Sequence, residues 1–84
     1  MKPNSEKIDD AVLALLHLTS FVERRGELPR AWKGHDWDAL GRLHEKGWIS
    51  DPVGVAKSVV LTEEGTQRAR ELFEKLFCDP DAAS

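Results

Sequence analysis

Gly47-Trp48-Ile49-Ser50-Asp51-Pro52-Val53-Gly54, followed downstream by Ser58-Val59-Val60-Leu61-Thr62-Glu63-Glu64-Gly65, decides how this chain folds. Trp48-Ile49-Ser50 reads as a short strand, since aromatic and β-branched residues suit an extended, half-buried backbone. Asp51-Pro52-Val53-Gly54 fits a type I turn, with proline presetting φ at the second position and glycine at the fourth. Ser58-Val59-Val60-Leu61 is a β-branched return strand, so the spacing predicts a hairpin over this stretch. Thr62 carries the hydroxyl that an N-cap needs, and Glu63 and Glu64 then sit at the positive end of a helix dipole. The helix that follows has Ala69, Leu72, Phe73, Leu76 and Phe77 on its core face and stops at Asp79-Pro80.

Upstream of Gly47, a helix is predicted from the N-cap Asp36 to about Lys46, with Gly47 just past its end. Its apolar stripe is Trp37, Leu40 and Leu43, with His44 on its flank, and Trp37 and Trp48 are expected in the core. Gly41 in mid-helix costs about 1 kcal/mol against alanine, a cost that often marks close packing. Residues 26–35, Gly26-Glu27-Leu28-Pro29-Arg30-Ala31-Trp32-Lys33-Gly34-His35, are bounded by glycine and broken by proline, and are read as a loop. A first helix is predicted from about Glu6 to Arg25, capped by Asn4 or Ser5 and ending at Arg24-Arg25-Gly26. The fold expected is therefore α+β: one small winged-helix-like domain of helix, long loop, helix, two-stranded β-hairpin wing and helix, spanning residues 1–84 with 1–5 and 79–84 frayed.

Leu40-Gly41-Arg42-Leu43-His44-Glu45-Lys46-Gly47-Trp48-Ile49 with Leu61-Thr62-Glu63-Glu64-Gly65 resembles the wing region of bacterial winged-helix regulators of the multiple-antibiotic-resistance and phenolic-acid-decarboxylase repressor types. That resemblance implies that the helix before Gly47 is a DNA-recognition helix and that the turn after it is a wing tip. Ile8-Asp9-Asp10-Ala11-Val12-Leu13-Ala14-Leu15-Leu16 with Ala31-Trp32-Lys33-Gly34-His35-Asp36-Trp37-Asp38-Ala39-Leu40 is similar to a family of short bacterial proteins catalogued only as a domain of unknown function. That second likeness spans nearly the whole chain and implies no activity.

Composition narrows the function classes. The single Cys78 excludes an internal disulfide and fits a reducing compartment, so a cytoplasmic location is expected. No apolar run reaches a membrane span, and the first residues lack the layout of a signal peptide, so no membrane partner is expected. The net charge is −3, but residues 24–57 alone carry +2, contributed by Arg24, Arg25, Arg30, Lys33, Arg42, Lys46 and Lys57 against five carboxylates. These seven cations are the candidate nucleic-acid contacts. Arg24, Arg25, Arg30 and Lys33 would meet phosphates while Trp32 stacks on a base. In the competing reading, which is preferred here, Trp32 and Leu28 plug the core beneath the loop and the cations are simply solvated.

Other chemistries find no footing. His17, His35 and His44 lack zinc-ligand spacing. Ser20, Ser50 and Ser58 have no activating context, and Cys78 has an acid, Asp79, rather than a base or cation beside it. The pairs Asp9/Asp10 and Glu63/Glu64 are explained by first-turn electrostatics. Neither an enzyme nor a cofactor is expected.

The first helix is apolar nearly all round. With Ile8, Val12, Leu15, Thr19 and Val22 facing the core, a second stripe of Leu13, Leu16, Leu18 and Phe21 is left over as a candidate dimer interface. The function expected is thus a non-catalytic protein-interaction or homodimerisation module, with self or another protein as partner. The alternative is a winged-helix nucleic-acid-binding regulator. Two features weigh against the alternative. No scaffold helix precedes the candidate recognition helix, and that helix opens on Asp36-Trp37-Asp38, whose carboxylates repel phosphate.

Overall fold

A computed structural model describes residues 1–80; the tail expected at Asp81–Ser84 lies outside the described residues. The elements run α1 (Ser5–Leu18), β1 (Arg30–Trp32), α2 (Trp37–Glu45), β2 (Ser58–Val60) and α3 (Glu63–Phe77). This small α+β arrangement of three helices and a two-stranded antiparallel sheet is consistent with a winged-helix-like layout.

Local chemistry sets the helix boundaries. Asn4 Oδ1 accepts from the Lys7 N–H at 3.1 Å, so Asn4 and Ser5 belong to the start of α1. Asp36 caps α2 by accepting from the Ala39 N–H at 3.0 Å. Gly47, at φ 80°, closes α2. There the Gly47 N–H donates to the His44 carbonyl and the Trp48 N–H to that of Leu43, the paired bonds of a Schellman motif. Thr62 Oγ1 both accepts from the Gly65 N–H at 2.9 Å and donates to the Gly47 carbonyl at 2.8 Å, tying the end of α2 to the start of α3.

The first helix is shorter than its apolar pattern predicts. It ends at Leu18 rather than Arg25 because Thr19 Oγ1 and Ser20 Oγ donate to the Leu15 and His17 carbonyls, and because Phe21 finds a different backbone partner. Phe21 and Arg30 exchange N–H···O bonds at 2.8 Å in both directions. Arg24-Arg25-Gly26 therefore forms a turn, with Gly26 at φ 89° and the Glu27 N–H on the Arg24 carbonyl, instead of a helix terminus.

The sheet also differs from the expected hairpin. The fold-back of Gly47–Gly65 is present, since Ile49 bridges Leu61 and the Ser50 N–H donates to the Val60 carbonyl at 2.8 Å. The regular ladder of β2, however, is made with β1, from the stretch read as loop, in the register Arg30↔Val60, Ala31↔Val59 and Trp32↔Ser58. Pro29 is tolerated at the start of β1 because its carbonyl, not an N–H, is what the Leu61 N–H needs. Laid out laterally, Phe21 flanks β1, β1 flanks β2, and Ile49–Ser50 flanks β2.

One face of this sheet is the floor of the core. Ala31, Val59 and Leu61 point inward and meet Val12, Leu13, Ala14 and Leu16 of α1, Ala39, Leu40 and Leu43 of α2, Ile49, and Ala69 and Leu72 of α3. Helix α1 is the hub, packing on α3, α2 and β1. Leu13 and Leu16 are wholly buried in this cluster, which corrects their assignment to a free face, while Leu18 of the same expected stripe stays exposed. Ile8 and Val22, placed in the core by helical spacing, are surface residues. Leu76 and Phe77 are half exposed, lining a shallow cleft with Lys7, Asp10 and Ala11.

Candidate recognition surface on the sheet

Two of the seven candidate cations are committed inside the molecule. Arg42 and Lys46, four residues apart on α2, project the same way and converge on Asp9 of α1. Arg42 Nε lies 2.9 Å from both carboxylate oxygens, Arg42 Nη2 2.7 Å from Oδ1, and Lys46 Nζ 3.3 Å from Oδ2. Asp9 is buried, 1% exposed. Burial pushes its carboxyl up, but the hydrogen bonds and charges of Arg42 and Lys46 together outweigh that cost and hold its pKa below the usual aspartate value. Asp9 in turn raises the pKa of Arg42. The expected recognition helix therefore has its two cations pinned to a carboxylate, and Lys46 also stands over the Trp48 ring at 5.3 Å. Helical spacing held a signal for this: Asp9 is in phase with Val12, Leu13 and Leu16, so an acid on that stripe needed a cation as partner.

The other five lie elsewhere. Arg24 and Arg25 are exposed in the turn after Phe21, and Lys57 is exposed at the foot of β2. Lys33 Nζ reaches the Gly54 carbonyl at 3.3 Å and steadies the loop after Ser50, where Asp51 accepts from the Val53 N–H. Arg30 lies on the outer face of the sheet, its Nε donating to Ser58 Oγ at 2.9 Å and its Nη2 reaching the Ser58 carbonyl at 3.4 Å. None of these five has a carboxylate within ion-pair distance among the described residues.

The outer face is the counterpart of the buried one. Alternation along the strands directs Arg30, Trp32, Ser58 and Val60 outward, and the bridge opposite Arg30 brings Phe21 to the same side. Trp32 is not a core plug: it is 56% exposed, with its ring tilted against that of Phe21 at 5.2 Å between centroids. Trp37 is likewise 53% exposed, because it opens α2 and overhangs the helix end. Trp48 alone of the three packs on the core. The segment from Leu18 to Trp32 also exposes Leu18, Val22 and Leu28.

The histidines have local roles. His17 lies against Phe73, ring centroids 5.2 Å apart, and His44 Nδ1 is 3.1 Å from the Ile49 carbonyl. Burial pulls the His35 pKa below the ordinary histidine value. Among the described residues no group of three or more His, Cys, Asp or Glu is placed to hold a metal ion. No helix among them is long and apolar enough to cross a membrane.

A family model described as "Domain of unknown function (DUF6429)" matches residues 4–79, which takes in α1, both strands, α2 and α3. The chain belongs to this family. Within it, the chain is similar to "Uncharacterized protein y4hR" of Sinorhizobium fredii (strain NBRC 101917 / NGR234), 56% identical over 77 residues, covering 92% of this chain and 97% of that protein. No solved structure matches. The expected membership in a family of short proteins of unknown function is thereby shown; the resemblance to winged-helix regulators is not confirmed by it.

Proposed function

We propose that this family member is a non-catalytic protein-recognition module whose contact surface is the outer face of the sheet, centred on Trp32. One observation carries the reading: a tryptophan more than half exposed, yet fixed by packing against Phe21, on a rigid strand beside a fixed arginine. Tryptophan and arginine dominate the energetics of protein interfaces, where pre-set side chains lose little entropy on binding.

This placement moves the interaction surface away from Leu13 and Leu16, which the core consumes, and keeps Leu18 and Phe21 from the expected dimer stripe. The nucleic-acid reading is weaker because Arg42 and Lys46, the cations of the helix meant for the groove, are both held by Asp9, which cancels one of their two charges.

The test is site-specific photocrosslinking in cells of the organism that carries the gene. A photoreactive residue at Trp32 is expected to yield a discrete protein adduct that the same residue at Gln67, on the exposed side of α3, does not. Adducts only with nucleic acid, identical adducts from both positions, or none from Trp32 would overturn the proposal.

A further inference from the structure

We infer that the outer face of the sheet is a two-point receptor for an acidic segment of a partner protein, with an apolar side chain seated on Trp32 and Phe21 and a neighbouring carboxylate paired with Arg30. The inference rests on the protein-recognition reading and adds the chemistry of the partner. Its basis is how the side chains of this face lean. Phe21, Arg30 and Val60 form one row across the sheet; Trp32 and Ser58 form the next. Trp32 leans diagonally onto Phe21, and Arg30 leans diagonally the other way onto Ser58. An arginine beside an exposed tryptophan can gain by folding over its ring. Here the hydroxyl and carbonyl of Ser58 draw the guanidinium aside, and the cations that do stand over a ring, Lys46 and Arg68, are both on Trp48.

The aromatic pair and the cation therefore lie side by side, neither covering the other. The guanidinium uses its Nε and one Nη2 donor on Ser58, and its remaining N–H groups, with no carboxylate at ion-pair distance among the described residues, can make a forked contact to an incoming acid. Charge around the face agrees. Residues 21–33 with Lys57 hold Arg24, Arg25, Arg30, Lys33 and Lys57 against only Glu23 and Glu27. A second copy docking this same face would bring like charges together. A phosphate backbone would run past Glu23 and Glu27, on a chain of net charge −3. A protein segment with one well-placed acid avoids both penalties.

The experiment is selection from a random-peptide phage library on the immobilised full chain. The expected consensus is an aromatic or aliphatic residue adjacent to Asp or Glu. A synthetic consensus peptide should lose about tenfold in affinity when its acid becomes the amide, or against Arg30→Gln, as for one lost charge-assisted contact. Ser58→Ala, which keeps Arg30 but frees it, should weaken binding to a lesser degree, and Trp32→Ala should abolish it. Gln67→Ala should bind as the parent chain does, and circular dichroism shows whether each variant is folded. A consensus without acid, binding that Arg30→Gln and Ser58→Ala leave unchanged, or no enriched sequence overturns the inference. So does tighter, salt-sensitive binding of oligothymidylate, or a dimer in sedimentation that the peptide dissolves. A protein adduct at Trp32 combined with an acid-free consensus would leave the recognition reading standing and remove only the acidic partner.

Discussion

Arg42 of α2 spans both carboxylate oxygens of Asp9 of α1, joining two helices across 33 residues of sequence through a carboxylate with 1% exposure. Removing the charge with Asp9→Asn leaves Arg42 and Lys46 facing an amide. The expected loss is about 2 kcal/mol, less than for a fully buried pair, because the two cations keep 34% and 37% of their side-chain surface in water. The pH dependence has a definite sign. The folded-state pKa of Asp9 lies below its usual value of 3.8, so its contribution is present above that value and is lost as acid titrates the folded carboxylate. Urea unfolding should therefore find the gap between the parent chain and Asp9→Asn widest near neutrality and closing below about pH 4. A gap independent of pH would contradict the role assigned to Asp9.

Glycine to alanine should have opposite signs at two helical positions. A Cβ at Gly65 would land on the Trp48 carbonyl oxygen, which is backbone and cannot step aside, whereas a Cβ at Gly41 meets nothing. Gly41→Ala should stabilise by about 0.5–1 kcal/mol through helix propensity. Gly65→Ala forfeits that gain and should destabilise by about 2 kcal/mol or more, as overpacking does. Thermal unfolding of the two variants checks both signs.

Leu16→Glu should unfold the chain, since Leu16 has no exposure and a lone buried carboxylate is costly. Leu18→Glu, two residues on and 59% exposed, should change stability by less than about 1 kcal/mol. A folded Leu16→Glu protein by circular dichroism would return Leu16 to the surface.

The tryptophans should separate stability from recognition. Trp32→Ala removes an exposed ring and should shift the melting temperature little, while Trp48→Ala, which strips a ring from the core and a platform from Lys46 and Arg68, should cost about 2–3 kcal/mol. Equal losses in the two would show that Trp32 is buried.

Much of this fold was legible because its signals are local. Asn4, Asp36 and Thr62 cap helices, and Gly47 ends one, through bonds to residues only a few positions away. The ribbon partner was not legible. Arg30-Ala31-Trp32 is too short to show alternation, and its pairing with Ser58–Val60 is decided by distant backbone groups. The end of α1 was masked by Phe21 and Val22, which continue the apolar rhythm although the backbone has already turned toward Arg30. At the candidate surface, Arg30 and Trp32 were visible as residue types, but the lean of each side chain depends on Ser58 and Phe21, which only the sheet brings near.

The non-local pairing of β1 with β2 also shapes how the chain acquires its structure. Since the partner of Ser58–Val60 lies on the far side of α2, a peptide containing only Gly47–Gly65 lacks the strand that its ladder needs. Such a fragment should stay unstructured in water, as isolated two-stranded elements do. Closing the long loop between the strands costs entropy that three ladder pairs repay poorly alone, so sheet formation is expected to go together with the docking of α1 and α2, and the domain to unfold as a unit.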